Sequence, residues 1–157
     1  MALDVMGFHD EAQRAYRWLS LAQRNDGSWH NYYMPDDSLE DAKLDTNVCA
    51  YVATGVWHHW LSTDDLGFVA LMWPTVKRAL TWVLEMRKPD GTILWAREVD
   101  SKPWDYALLT GSSSIRHALH CGANLGAILG EHQPEWRAAA DAIDLAINTN
   151  QKAFEPK

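Results

Sequence analysis

The sequence predicts an all-α protein whose helices form two layers. Five segments show the 3.6-residue spacing of apolar side chains that marks a helix. These segments alternate between amphipathic helices and helices that are apolar almost all round, and a short pattern recurs 64 residues after its first occurrence. Inner apolar helices covered by outer amphipathic ones would produce this alternation. We therefore predict a single double-layered domain, residues 1–157, of paired antiparallel helices.

The five predicted helices differ in the character of their surfaces. Their approximate bounds are 8–23, 45–61, 66–87, 112–129 and 135–151. The second and fourth are apolar almost all round, so we place them in the inner layer, buried on both sides. Asp45 or Thr46 is predicted to cap the second helix, and a serine within 112–114 the fourth. Pro74 suits a first helical turn or a kink, so we expect a short helix before a main helix that starts near Trp73.

A recurring pattern joins the outer helices to the loops that follow them. Five identical residues stay in register, which indicates an internal repeat. Gly27 is expected to take a left-handed backbone conformation where the first helix stops. The pattern is Arg14-Ala15-x-x-Trp18 followed by Asp26-Gly27-Ser28, and it recurs as Arg78-Ala79-x-x-Trp82 followed by Asp90-Gly91-Thr92.

The connections alternate in length as regularly as the helices alternate in polarity. Residues 25–44 and 88–111 are long and rich in Trp, Tyr and acidic side chains, whereas the turns at 62–65 and 130–134 are short. Both long loops therefore emerge at the same end of the helices. In a repeat array this end is the expected binding face.

Composition and charge exclude several classes of function. The net charge of −7 provides no basic stripe for a nucleic-acid partner. No apolar run reaches the roughly 18 residues of a membrane span, and the amino terminus lacks a signal-peptide pattern. Cys49 and Cys121 lie in apolar helical patterns, which suits buried thiols in a reducing compartment. A cytoplasmic location is therefore expected.

The segment Gln23-x-x-x-Gly27-x-Trp29 resembles the repeat of squalene-hopene cyclases and related triterpene cyclases. With the alternation of inner and outer helices, the chain resembles the prenyltransferase and squalene-cyclase repeat superfamily of α/α toroids. It is similar in outline to the six-hairpin glycosidases as well. A second, degenerate copy has Arg87 and Ile93 in place of the Gln and Trp. In the cyclases this repeat is mainly structural, and it joins outer helices to loops.

The resemblance implies a partial α/α toroid, because toroids of this kind close with about six hairpins and the sequence predicts about two and a half. We expect either a fragment of a longer toroid or an open solenoid whose copies associate. The implied function is to bind or convert an isoprenoid in a central cavity lined by aromatic and acidic side chains. A glycosidase-like protein acting on a glycan is the first alternative. A non-catalytic repeat scaffold or an inactive fragment is the second, so whether the chain is an enzyme stays open.

Neither a metal nor a cofactor is assigned from the sequence. The Asp-x-Asp-Asp acid motif of the cyclases is absent, and the nearest string, residues 36–41, is more typical of a solvated acidic loop. His117, His120 and Cys121 lie on one predicted helix, but no third acidic ligand accompanies them as a zinc site requires.

The candidate site residues lie in the two long loops. A glycosidase needs two carboxylates across a cleft, one of them kept protonated by its surroundings. Asp45, Glu98 and Asp105 are the predicted catalytic residues, although an Asp in the position of Asp45 more often serves as a helix cap. Aromatic side chains can stack on sugar rings or face a carbocation, so they do not separate the two chemistries. The predicted substrate-binding residues are Trp29, Tyr32, Asp41, Trp95, Trp104 and Tyr106.

Overall fold

The protein is all-α, as predicted. The computed structural model describes residues 1–154. Its helices are α1 (Ala2–Val5), α2 (His9–Ala22), α3 (Thr46–Thr63), α4 (Leu66–Glu85), α5 (Leu109–Ile128) and α6 (Pro134–Thr149), followed by a 3-10 turn at Gln151–Phe154. The described strands are short and lie in the loops: β1 (Tyr32–Tyr33), β2 (Leu39–Asp41), β3 (Leu44–Asp45) and β4 (Ala96–Arg97). Within this part of the chain, no helix is long and apolar enough to cross a bilayer.

The longer helices form an inner pair and an outer set. The inner helices α3 and α5 pack extensively against each other, and each also packs against the outer helix that follows it, α4 or α6. The outer helices turn one apolar face inward. On α4 this face is the stripe of Val69, Trp73, Val76, Leu80 and Val83, all buried.

Small residues on α5 bring the layers close together. A Cβ atom built on Gly122 would clash with Leu80 of α4 and lie 3.0 Å from the Trp136 ring of α6. A Cβ on Gly126 would lie 3.0 Å from the Trp73 ring. Close packing of this kind leaves no room for even one methyl group, because protein interiors have crystal-like density. Two tryptophans and a leucine of the outer layer therefore rest directly on the α5 backbone.

The prediction that α3 is buried on both sides is wrong. Val48, Tyr51 and Leu61 are 36, 46 and 65% exposed. The helix is apolar all round, as its sequence shows, but the described residues cover only part of its circumference. An apolar sequence shows that every side of a helix could be buried, but it does not show that a neighbour is present on every side.

The third predicted helix is not divided at Pro74. The residue lies inside the continuous helix α4. Proline removes the hydrogen bond to the carbonyl group four residues earlier, which belongs to Ala70. Ala70 and Pro74 are both exposed. Water can therefore reach the carbonyl group, and the outer layer tolerates the proline.

The start of α5 also differs from the prediction. The helix begins at Leu109 and not after a serine cap within 112–114. The hydroxyl groups of Ser113 and Ser114 instead donate to the carbonyl oxygens of Leu109 and Thr110, four residues earlier. This bonding within a helix is the usual alternative to capping for serine.

The two copies of the repeat form the same turn. The Asp26 carboxylate accepts from both the N–H and the hydroxyl of Ser28, at 3.0 and 2.6 Å, and Asp90 makes the same pair of bonds with Thr92, also at 3.0 and 2.6 Å. Gly27 and Gly91 have φ of +95° and +87°. The internal repeat read from the sequence is thus confirmed in three dimensions.

Gln23 and Trp29 join each end of the first turn to a helix. The Gln23 amide donates to the carbonyl oxygens of Gly27 and of Thr75 on α4, at 2.9 and 3.0 Å. The Trp29 indole N–H donates to the Leu19 carbonyl on α2 at 2.8 Å. The motif therefore ties the turn to two outer helices, which is the structural role expected for it.

Replacing Gly27 with alanine should destabilise the protein more than replacing Gly130 with alanine. Both glycines have positive φ, so alanine costs roughly 1–2 kcal/mol of backbone strain at either position. At Gly27 the new Cβ also meets the Arg78 carbonyl of α4, whereas at Gly130 it meets nothing within 4 Å. Urea unfolding followed by circular dichroism measures both losses. Equal losses would mean that contact with α4 does not constrain the turn.

Candidate functional site

The two long loops meet at the amino-terminal end of α3. Strand β3 pairs with β4 in antiparallel register, with Leu44 opposite Arg97 and Asp45 opposite Ala96. The N–H of Thr46 continues this pairing by donating to the Trp95 carbonyl at 2.9 Å. The start of the inner helix is therefore fixed to the second loop, 50 residues further along the chain.

Asp45 serves both the helix and the loop. One carboxylate oxygen, Oδ1, accepts from the N–H groups of Asn47 and Val48 at 2.9 and 3.2 Å, which caps α3 as predicted. The other, Oδ2, accepts from the indole N–H of Trp95 at 2.5 Å. The side chain thus holds the first turn of the helix against the aromatic ring of the second loop.

Burial raises the pKa of the Asp45 carboxyl above its ordinary value. The hydrogen bonds that it accepts and the charge of Lys43 lower the pKa, but they offset only part of the effect of burial. Asp41, four residues earlier, behaves in the opposite way. A hydrogen bond from the Lys43 N–H lowers its pKa most, and one from the Asn31 amide adds to this. The same loop end therefore holds one carboxyl whose pKa is raised and one whose pKa is lowered.

Three aromatic side chains cluster around Asp45. The rings of Trp95 and Trp104 meet edge-on with centroids 5.1 Å apart, and Tyr106 lies 5.6 Å from Trp95 and stacks on Trp104. Lys43 extends over this cluster, with Nζ 4.8 Å from the Trp95 ring centre. Its ammonium also lies 3.4 Å from the Asp41 carboxylate. Two tryptophans and a tyrosine from the second loop are thus joined to acidic residues of the first.

The structure brings five of the nine predicted site residues into one cluster: Asp41, Asp45, Trp95, Trp104 and Tyr106. Glu98 and Asp105 are exposed in the second loop, and Asp105 forms an ion pair of 3.7 Å with Lys88. Tyr32 is exposed on β1, where its backbone pairs with Asp41. Trp29 is buried in the core, and its indole N–H bonds to α2. Among residues 1–154 it has no contact with the cluster.

Lys43 is the member of the cluster that the sequence reading missed. A signal for it exists, because residues two apart on a strand point to the same side. Lys43 precedes Asp45 by two residues and stands next to the strand β3. Residues 25–44 are predicted to form a loop, so the alternation of side chains along a strand was not applied to Lys43.

A groove of about 240 Å³ runs beside the exposed side of α3. It begins one turn below Asp45 and is bounded by α2 and by the first long loop. The Tyr16 ring forms its floor against Gly55, where a Cβ atom would approach the ring within 2.9 Å. Trp29 contributes to the wall. The residues that line the groove include Tyr16, Leu19, Trp29, Val48, Tyr51 and Gly55.

A second polar cluster lies at the opposite end of α3. The buried carboxylate of Asp4 accepts from Nδ1 of His59 at 2.7 Å and from Nδ1 of His9 at 3.1 Å. These three side chains come close enough to hold a metal ion. Gln13 extends this hydrogen-bonded cluster, because its amide nitrogen donates to Asp65 at 2.9 Å and lies 3.4 Å from His59 Nε2. His59 then carries its proton on Nδ1 and donates to Asp4, which attaches α1 to the helical layers.

Comparison with known proteins finds similarity to an enzyme. No protein-family model matches the chain. The chain is similar to a glycoside hydrolase, and it is 45% identical to it over all 157 residues. This relative is the MMP endo-(1,4)-3-O-methyl-alpha-D-mannosidase of Mycolicibacterium hassiacum, and the chain spans 43% of its length. The similarity favours the glycosidase-like alternative of the sequence reading, and no comparison supports the isoprenoid reading that stood first.

Asp45→Asn should change how stability depends on pH. The folded-state pKa of Asp45 is raised, so its contribution to stability is full below its ordinary value of 3.8 and is lost as the pH rises through the raised value. On lowering the pH from 7 towards 3.8, the wild type should gain stability relative to Asp45→Asn, which keeps an oxygen for the cap. Urea unfolding at a series of pH values measures the difference. A difference that stays constant with pH would contradict the raised pKa.

Proposed function

We propose that this chain binds an α-linked mannose glycan bearing O-methyl groups and contributes the acid of a glycoside hydrolase site. The observation that carries the proposal is the similarity, along the whole chain, to an enzyme named for hydrolysing such a glycan. The clustered residues at the loop end are of the kinds that this chemistry requires. The substrate is taken from the name of the relative and is therefore part of the proposal.

Asp45 is the proposed general acid. Glycoside hydrolysis needs one carboxyl that is protonated when the leaving oxygen departs and a second that is ionised. The raised pKa of Asp45 suits the first role. Glu98 and Asp105 are the proposed candidates for the second, because the loop that holds them begins directly after β4, the strand that pairs with Asp45. Asp41 is ionised but engaged by Lys43 and Asn31, so we assign it to substrate binding.

Trp95, Trp104 and Tyr106 are proposed to contact sugar rings. The hydroxyl-poor faces of a sugar pack well on aromatic rings, and O-methyl groups enlarge this apolar area. Lys43 bears on the choice between a glycan and a carbocation. Its ammonium already lies over the rings of Trp95 and Trp104, at 4.8 and 5.9 Å from their centres. A carbocation would need aromatic faces that no other cation occupies. A neutral glycan meets no charge repulsion there.

Trp104→Leu should weaken glycan binding by about tenfold or more, since losing an aromatic contact of this size costs roughly 1.5–3 kcal/mol. The probe is an α-(1→4)-linked oligosaccharide of 3-O-methylmannose, titrated by calorimetry. Trp60→Leu is the matched control, because Trp60 lies in the last turns of α3, at the opposite end from Asp45. Farnesyl diphosphate is titrated in parallel. Binding of that ligand in place of the glycan would overturn the proposal and restore the isoprenoid reading.

Asp45→Asn should abolish hydrolysis of the same oligosaccharide while leaving its binding within about twofold, because the amide keeps the shape of the carboxyl but cannot donate its proton. General acid catalysis contributes typically about 10²–10⁴-fold, so a loss of at least 10² is expected. New reducing ends measure the rate, and Glu98→Gln and Asp105→Asn test the second carboxylate. Unchanged turnover in Asp45→Asn, or binding without hydrolysis by the wild type, would remove the catalytic role and leave a glycan-binding repeat.

A further inference from the structure

The groove beside α3 is apolar where a helix surface normally carries charge. From Thr46 to Thr63 the helix has no Lys, Arg, Asp or Glu, yet one side of it is open. Exposed apolar surface that is continuous with a groove marks an interaction site more often than isolated exposed residues do. The internal repeat indicates which kind of element would occupy the groove.

Each of six groove-lining residues has a counterpart 64 positions later in the second repeat. The counterparts are buried, and all six are at most 1% exposed. The pairs are Tyr16 and Leu80, Leu19 and Val83, Trp29 and Ile93, Val48 and Ser112, Tyr51 and Ile115, and Gly55 and Leu119. Tyr16, Trp29 and Gly55 are buried as well, so the repeats differ on the inner helix: Val48 and Tyr51 are exposed, whereas Ser112 and Ile115 are filled core.

The inner helix α3 covers the corresponding part of the second repeat. Its first residue, Thr46, donates its N–H to the carbonyl oxygen of Trp95 and its hydroxyl to that of Leu94, both at 2.9 Å. The side-chain oxygen of Asn47, the next residue, accepts from the Ser114 hydroxyl of α5. The counterparts of Leu94 and Trp95 are His30 and Asn31, which both lie at the mouth of the groove.

A buried polar atom supports this correspondence independently. The side-chain oxygen of Asn31 is buried and has no hydrogen-bond partner among residues 1–154, while its amide nitrogen donates to Asp41. Such an acceptor is costly to leave unpaired. In the second repeat, the side chain at this position, Trp95, bonds to Asp45, the cap of the incoming inner helix. A donor from the cap of an equivalent helix would satisfy Asn31.

We propose that the groove is the docking site of another inner-layer helix of the same repeat type. The partner helix is apolar, lies parallel to α3, begins with a hydroxyl residue near His30 and Asn31, and presents a hydrogen-bond donor to Asn31 from its cap. The relative is more than twice as long as the matched segment. The part of the relative outside the match is therefore long enough to contain such a helix. This inference rests on the repeat and does not depend on the proposed reaction.

Co-expression tests the proposal. The full chain, carrying an affinity tag, is produced together with the part of the Mycolicibacterium hassiacum relative that lies outside the match, as a separate polypeptide. We expect a soluble one-to-one complex by light scattering, and slower amide hydrogen exchange at residues 48–55 in the complex. Tyr51→Arg should weaken the complex at least tenfold, since it places a charge at the centre of the contact.

Leu71→Arg is the matched control, because Leu71 is a similarly exposed apolar residue on the outer helix α4. Thermal unfolding of each variant alone checks that the chain still folds. A complex that withstands Tyr51→Arg, or no complex at all, overturns the proposal. Self-association of the chain that Tyr51→Arg abolishes, without binding to the relative's segment, would identify a second copy as the occupant and overturn the choice of partner.

Discussion

The contact of each glycine turn with the next outer helix sets the geometry of the whole chain. Gly27 lies against the Arg78 carbonyl of α4, and Gly91 lies against Ala142 of α6. Arg78 and Ala142 are themselves 64 positions apart. Only glycine combines the positive φ of the turn with the absence of a Cβ at this approach. Because the turn also ends an outer helix and opens a long loop, this one contact fixes the spacing of the outer layer and the end at which the loops emerge.

The turn explains which parts of the fold were predictable. Asp26-Gly27-Ser28 and Asp90-Gly91-Thr92 encode their conformation locally, through a carboxylate that closes on a hydroxyl two residues later, so the repeat could be read from the sequence. The amphipathic stripe of α4 and the cap at Asp45 are local as well. By contrast, the open side of α3 and the uninterrupted course of α4 past Pro74 depend on which neighbours and how much water each surface meets. No spacing within a helix records that.

The candidate site divides in the same way. Asp45, Trp95, Trp104 and Tyr106 were selected because acids and aromatics in long loops at one end of an array tend to converge. They converge because β3 pairs with β4, a contact between residues far apart in the sequence. The short apolar segments around Leu44 and Ala96 do not predict this pairing. Trp29 was selected by the same reasoning, yet its indole N–H bonds to α2 and its ring is buried. The Gln-to-Trp motif needs that tryptophan for the joint, so its role follows from the motif and not from its place in a loop.

The two repeats agree at the glycine turns and differ at the loop end, and the proposed chemistry lies where they differ. Asp45 corresponds to Leu109, and Trp95 corresponds to Asn31. The side chains of Asp45 and Trp95 are therefore not repeated at the corresponding positions, although the Asp26 and Asp90 turns form the same hydrogen bonds. Residues that are needed for the fold are needed in both repeats, so they stay alike in the two copies. A requirement set by one ligand acts on a single position around the array, which is the pattern that Asp45 and its aromatic cluster show.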